Sequence, residues 1–331
     1  MPAPWRRVLG LLCNTGILVL AAATLLATAC KAGPRSLPGM PPETLDRTGG
    51  TDPGRPARTV VLVSVDGLAP WVLEGTETPT LDELVRTGAA ASWAETVTPS
   101  RTLPSHASMI SGLEPDRHGV DWNAWQPWRR VAVPTLFARC REARLRCGLF
   151  AGKAKLAHFA VGETGVERYR LAGDARAVLD AALGYLDERE PHFVMIHLAE
   201  VDLAGHRDGW GSEAQRGEIR RIDRALGEFL DEARDELEGR LAVIVTADHG
   251  GHGRGHGGGE ARDLAIPWIA WGSGVPAGIR LARVRTVDTA ATVLGLLGLP
   301  TPAGWLGKSH FPFYLASDPA PADGSATGGG Q

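Results

Sequence analysis

Three stretches of the chain are apolar at nearly every position: 59–65 (TVVLVSV), 192–198 (HFVMIHL) and 241–247 (LAVIVTA). Their length and β-branched content predict strands buried on both faces, as in the parallel sheets of α/β proteins. Between them the spacing changes. Segments 78–88, 134–145, 174–190 and 218–239 predict helices, and the last two carry apolar residues three and four apart. A short strand is expected at 147–151 (CGLFA), and further helices at 103–112 and 286–298. Strands alternating with helices predict a mostly parallel sheet covered on both sides.

The two ends read differently. Arg6 and Arg7 precede a largely apolar run, 8–29, that stops at Cys30. Charged residues, an apolar run and small residues, in that order, make an export signal. The run is also about long enough to span a bilayer as a helix. Its end, LLATAC, resembles a bacterial lipoprotein signal with Cys30 as the lipidated residue, although Ala27 stands where leucine is usual. An uncleaved anchor is the alternative, and either version places the rest of the chain outside the cytoplasm, in the cell envelope. A Pro/Gly-rich linker over 30–57 then leads to a folded domain over 58–315, and 316–331 reads as a disordered tail.

Composition narrows the picture only a little. The chain has 331 residues, 44% hydrophobic and 22% charged, as ordinary globular proteins do. A net charge of −3 gives no sign of a nucleic-acid partner. With Cys13 and Cys30 in the signal, Cys140 and Cys147 remain, and two readings stand for them: a short-loop disulfide or two buried thiols.

Candidate chemistry lies where the strands end. Ligands of open α/β sheets bind beyond the carboxyl ends of the strands. Asp66 directly follows the first predicted strand, Asp202 and His206 lie just past the second, and Asp248 and His249 follow the third. Several acids brought to one region are costly unless cations neutralise them, and a divalent metal is the simplest neutraliser. Carboxylates plus imidazoles suit zinc. The third strand runs into 246–258, TADHGGHGRGHGG, which adds His252 and His256.

Four pieces in order, VSVDGL, PSRTLPSHASMISGLEPDRHGV, EVDLAGHRDG and VTADHGGHGRGHGG, resemble the alkaline phosphatase superfamily. They look nearest to its nucleotide pyrophosphatase/phosphodiesterase branch, over a region from about Thr59 to Pro312. The resemblance implies a three-layer α/β/α fold around a mostly parallel sheet, and two divalent metal ions, usually zinc. Carried over, Asp66, Asp248 and His249 would hold one ion together with the nucleophile Thr102. Asp202, His206 and a later histidine would hold the other. His256 is preferred because the family's last ligand sits in a glycine-flanked His-Gly, though spacing alone leaves His252 open. Asn123 matches the residue whose amide contacts a phosphoryl oxygen. Lys153 and Lys155 match a lysine pair that some superfamily members direct at dianionic substrates; in an extended segment the two would point to one side. Related sulfatases carry an arginine that TLPSH lacks, which argues against that activity.

The expected function is therefore an exported two-metal phosphoric ester hydrolase, acting on a small phosphorylated substrate through a phosphothreonine intermediate. Its membrane partner would be reached by the N-terminal lipid or anchor. A monoesterase or phosphonate hydrolase with the same site is the first alternative, and a catalytically silent binding module the second. His106, His118, His192 and His197 are expected to be structural. The tryptophan cluster at 121–128 is expected to pack, with a stacking wall as the alternative.

Overall fold

In the computed structural model the described residues are 57–311, Glu163 excepted. The signal, most of the linker, Cys30 and the tail lie outside them. The strands are β1 (Thr59–Val65), β2 (Ala89–Ala91), β3 (Ala94–Glu95), β4 (Cys147–Ala151), β5 (Arg168–Leu171), β6 (Phe193–Leu198), β7 (Leu241–Thr246), β8 (Trp268–Gly272), β9 (Ile279–Leu281) and β10 (Val284–Arg285). Eight of them form one sheet in the order β5-β4-β6-β1-β7-β8-β2-β9, and β10 pairs with β3 apart from it. From β5 to β7 every pairing is parallel; β8 runs antiparallel to both of its neighbours.

The expected strands at 59–65, 192–198 and 241–247 are the centre of this sheet. β1 lies between β6 and β7, with Val60 opposite Phe193 and Ala242. All three strands are buried along their whole length, as their unbroken apolar runs require.

The principal helices are α1 (Pro70–Leu73), α2 (Pro79–Thr87), α3 (Thr102–Ser111), α4 (Pro115–His118), α5 (Leu136–Glu142), α6 (Ala175–Arg189), α7 (Glu200–Asp208), α8 (Glu213–Glu236), α9 (Ala261–Leu264) and α10 (Asp288–Leu296). They pack in two groups. α2, α6 and α7 contact α8, while α4, α5 and α10 contact α3. Two helical groups and a sheet whose central strands are covered on both faces make the three-layer α/β/α arrangement.

α8 begins five residues before the expected start. Its N-cap is Ser212, whose hydroxyl accepts from the Gln215 N–H, while Gln215 Oε1 accepts from the Gly211 N–H. This Ser-x-x-Gln pair is close to a capping box. Cys140 and Cys147 are both buried and free, so the disulfide reading is not met. Cys147 Sγ donates to Leu145 O at 3.6 Å, and the neighbouring Cys140 thiol together with burial pushes its pKa far above the ordinary range. The pair of free thiols packs α5 against the first residue of β4.

Candidate active site

The carboxyl ends of β1, β4, β6 and β7 face one region, and the residues named from sequence collect there. Asp66 leaves β1 and is fully buried. α7 starts two residues after β6 and carries Asp202 and His206 four apart, on one helical face. Asp248 and His249 leave β7, both fully buried. Ligand atoms fall into two triads, Asp66/Asp248/His249 and Asp202/His206/His256, each with its atoms within 4.8 Å of one another.

Distances within the triads are informative. His249 Nε2 lies 3.3 Å from Asp66 Oδ1 and 3.4 Å from Asp248 Oδ2. His206 Nε2 lies 3.3 Å and His256 Nε2 3.5 Å from Asp202 Oδ1. Ligands about 2.0–2.1 Å from a tetrahedral zinc stand about 3.3 Å apart, the edge of that tetrahedron. Moreover, Asp66 Oδ1, Asp202 Oδ1, Asp248 Oδ2 and His249 Nε2 are buried and have no hydrogen-bond partner. Orphaned buried acceptors are costly, and four that converge are the signature of a cation site.

The rest of each ligand is fixed from behind. His249 Nδ1 donates to Gly250 O (2.8 Å), His206 Nδ1 to Arg254 O (3.0 Å) and His256 Nδ1 to Ser100 O (2.8 Å). Each imidazole is thus held with Nε2 toward the acids, the arrangement that orients metal-binding histidines. Asp248 Oδ1 accepts the N–H groups of Gly67 and His249, both at 3.1 Å. Gly67 has φ +75°, and a Cβ there would lie 3.0 Å from Asp202 Cα, so the two acids approach only because it is glycine. His252 is used otherwise: its Nδ1 donates to Asp263 Oδ1 at 2.8 Å, and its Nε2 faces Glu260 at 3.4 Å. Geometry therefore favours His256 over His252.

Electrostatics show the same demand for positive charge. Burial opposes ionisation of Asp66, but Lys153, His197 and His249 outweigh it and hold the carboxyl well below its ordinary range. Burial likewise opposes a proton on His249, yet Asp248 and Asp66 raise it to about 9.

Thr102 is the first residue of α3, buried, with Arg101 as its N-cap. Helix 103–112 was expected to begin just after it; the hydroxyl instead sits on the first turn. Leu103 N–H donates to Asn123 Oδ1 at 2.9 Å, which fixes the Asn123 amide beside Thr102. His106 Nδ1 donates to Thr102 O (2.7 Å), its Nε2 accepts from Ser64 Oγ (2.8 Å), and burial lowers it to about 4, so the ring is neutral. Ser105 Oγ donates to Asp248 O at 2.6 Å. The segment 100–106 is bonded to residues of both triads.

The lysine pair is arranged differently from the expectation. The strand ends at Ala151, and Lys155 lies in a 3₁₀ turn, Ala154–Phe159, so alternation along an extended segment does not hold. Lys153 Nζ donates to Asp66 Oδ2 (2.7 Å) and Asp202 Oδ2 (2.5 Å), joining the two triads. Lys155, half-buried, has its pKa lowered by burial and by Lys153, and it lies near enough for the charges of Asp66, Asp202 and Asp248 to oppose that shift.

Sequence reasoning overlooked two supports. His197, expected to be structural, donates from Nε2 to Asp66 Oδ2 at 2.8 Å. Its signal was a lone imidazole in an otherwise apolar buried strand. Trp210 lies under His206 and His256, with ring centroids 5.2 and 5.8 Å away. The tryptophan cluster divides: Trp122 is buried and His158 Nε2 accepts from its indole N–H, whereas Trp125 and Trp128 are exposed.

The three-layer fold, with paired acid–imidazole triads beyond the sheet and a threonine on a helix N-terminus, defines a member of the alkaline phosphatase superfamily. Residues 60–136 and 152–253 match the family described as type I phosphodiesterase / nucleotide pyrophosphatase, and 213–299 match the sulfatase family. The first match takes in more than half of the chain, which belongs to the type I phosphodiesterase / nucleotide pyrophosphatase family. Human ectonucleotide pyrophosphatase/phosphodiesterase family member 7 is 28% identical over 217 residues, 58% of this chain and 47% of that protein. The bis(5'-adenosyl)-triphosphatase enpp4 of Xenopus laevis is 23% identical over 212 residues, 58% of this chain and 46% of that one. The chain thus spans about half the length of these relatives. Murine ectonucleotide pyrophosphatase/phosphodiesterase 5, solved as an inactive threonine-to-alanine variant in complex with AMP, shares the fold. Its TM-score is 0.65 at 14% identity, with 74% of this chain and 96% of that chain covered.

Proposed function

We propose that the chain is an exported phosphodiesterase of the nucleotide pyrophosphatase type that uses Thr102 as nucleophile and two divalent ions, zinc by the nature of the ligands. The observation that carries the reading is the pair of triads whose imidazole–carboxylate distances, 3.3 to 3.5 Å, match the edge of a zinc tetrahedron, with four of their ligand atoms orphaned. Asp66, Asp248 and His249 would hold one ion and Asp202, His206 and His256 the other. When bound, the ions would stabilise the threonine alkoxide and the departing oxygen of an in-line displacement.

The protein's own groups do the remainder. Thr102 Oγ, its proton lost to solvent, attacks phosphorus as the bond to one ester oxygen breaks and the leaving alcohol takes up a proton; the phosphoryl group, still carrying its second ester, stays on Thr102 until water hydrolyses it. The first turn of α3 offers the Thr102 N–H and the positive end of its dipole to the phosphoryl oxygens; Leu103 N–H is held by Asn123, Pro104 has none and Ser105 N–H bonds Arg101 O. Asn123, with Oδ1 engaged by Leu103 N–H, keeps its amide N–H groups for a phosphoryl oxygen. The neutral His106 holds the Thr102 carbonyl from behind. AMP in the murine structure and the frog relative's name, bis(5'-adenosyl)-triphosphatase, support a nucleotide-type substrate, and the inactive threonine variant supports the nucleophile. An intact ligand set argues against a silent binding module.

The test is hydrolysis of bis-p-nitrophenyl phosphate and p-nitrophenyl phosphate after chelation and after zinc is restored. Diester turnover should vanish with chelation and return with zinc; full turnover in stripped protein would contradict the reading. A monoesterase is the second reading, favoured by Lys155 lying near the acid cluster without a carboxylate bond of its own. Lys155→Ala is the cleaner probe, because Lys153 ties both triads and its loss would affect either substrate. If the second reading holds, Lys155→Ala lowers monoester turnover about tenfold and leaves diester turnover nearly unchanged.

A further inference from the structure

Trp210 enters a slot cut by three glycines from three separate segments. A Cβ on Gly251 would lie 2.2 Å from its indole, one on Gly205 2.8 Å and one on Gly67 3.2 Å. These glycines belong to the His/Gly tract after β7, to α7 and to the turn after β1. The indole is 7% exposed and meets the His206 ring edge-on, with an interplanar angle of 89°. It also meets His256, which lies beside His206 (ring centroids 5.0 Å apart) and stacks on His249 at 3.5 Å. The indole Nε1–H donates to Gly67 O at 2.9 Å, and the N–H of Gly67 is the donor to Asp248 Oδ1. The backbone N–H of Trp210 donates to Gly253 O at 2.8 Å, which pins the tract to the end of α7.

Backbone bonds at Nδ1 set which nitrogen of His206 and His256 faces Asp202, but they do not stop the rings from swinging away from it. Trp210 does, because it fills the space behind both. From this juxtaposition we propose that Trp210 is a positioning residue for the Asp202/His206/His256 site: it sets the aim of the two imidazoles and so the affinity of that site for a divalent ion. The proposal deepens the two-metal reading and rests on it. The Asp66/Asp248/His249 triad is fully buried and meets the indole only at second hand, through the Gly67 backbone and the His256 ring, so the loss of Trp210 should reach it less.

The test is zinc content per chain at equilibrium with graded zinc–chelator buffers, together with the melting temperature of the metal-stripped protein. Wild type should take up two ions. Trp210→Leu should weaken one of them by about tenfold or more, the size usual when a group orienting a metal-bound histidine is lost. The other ion should be held nearly as before. Gly205→Ala guards against a folding failure of the first variant: alanine is the better helix former, yet its Cβ displaces the indole. It should show the same selective loss with only a small fall in the stripped protein's melting temperature, its helix propensity offsetting part of the overpacking. Trp210→Phe, which keeps an aromatic ring behind the histidines, should restore most of the affinity. Two ions bound as tightly in Trp210→Leu as in wild type would overturn the proposal alone, and so would equal weakening of both. A wild-type chain that takes up no zinc would remove the two-metal reading and this proposal with it.

Discussion

At the scale of single residues, His252 and His256 differ in what their nitrogens are free to do. His252 spends Nδ1 on Asp263, whereas His256 spends Nδ1 on a backbone carbonyl and turns Nε2 to Asp202 at 3.5 Å. His256→Ala should therefore remove close to one equivalent of zinc and most activity, while His252→Ala keeps both ions. Metal analysis of the two variants checks this, and equal losses would reverse the assignment. The acids and His206 were legible in sequence because each stands just past an unbroken apolar run. The resemblance preferred His256, but spacing could not separate the two histidines, since both precede glycine in the same tract; the geometry does. Lys153 was legible as a charge near the site but not as a bridge, because its bond to Asp202 spans 49 positions of chain.

At the scale of elements, the joint between α3 and α4 carries a titratable lock. Buried His118 accepts from the Val120 N–H at Nδ1 (3.0 Å) and donates from Nε2 to Ser108 Oγ (2.9 Å), so both nitrogens serve the neutral ring. Burial lowers it from 6.5 to about 4. A histidine with a depressed folded pKa binds its proton more readily in the unfolded chain. Its contribution to stability is full above pH 6.5 and is lost as the pH falls from 6.5 toward 4. His118→Gln should lower stability at neutral pH by about 1 kcal/mol and flatten the pH dependence across that window. Urea midpoints at several pH values measure it, and an unchanged slope would show that another group sets the acid limit. The elements themselves were readable in proportion to their burial. β1, β6, β7 and α6 are long and strongly patterned. β2, β3, β9 and β10 have two or three residues each and are held by pairing with distant strands, so no local pattern marks them.

At the scale of the whole molecule, the mostly parallel sheet explains why one end of it concentrates so much charge. Parallel strands deliver their carboxyl ends to the same edge, and β1, β4, β6 and β7 each contribute there. Export is proposed on residues outside the described region. Among the described residues no helix is long and apolar enough to cross a membrane. Cys30→Ala should release the protein from the membrane fraction if Cys30 is lipidated; a mature protein that still begins at Met1 would show the segment to be an anchor.

The central claim is that Thr102 becomes covalently phosphorylated, and it can be read directly. Zinc-loaded protein turning over bis-p-nitrophenyl phosphate is quenched in acid within the first turnover, and its peptides are weighed by mass spectrometry. The account predicts a p-nitrophenyl phosphoryl adduct on Thr102 in the wild type and neither adduct nor turnover in Thr102→Ala. An unmodified Thr102 during full turnover, with undiminished activity in the alanine variant, would contradict it.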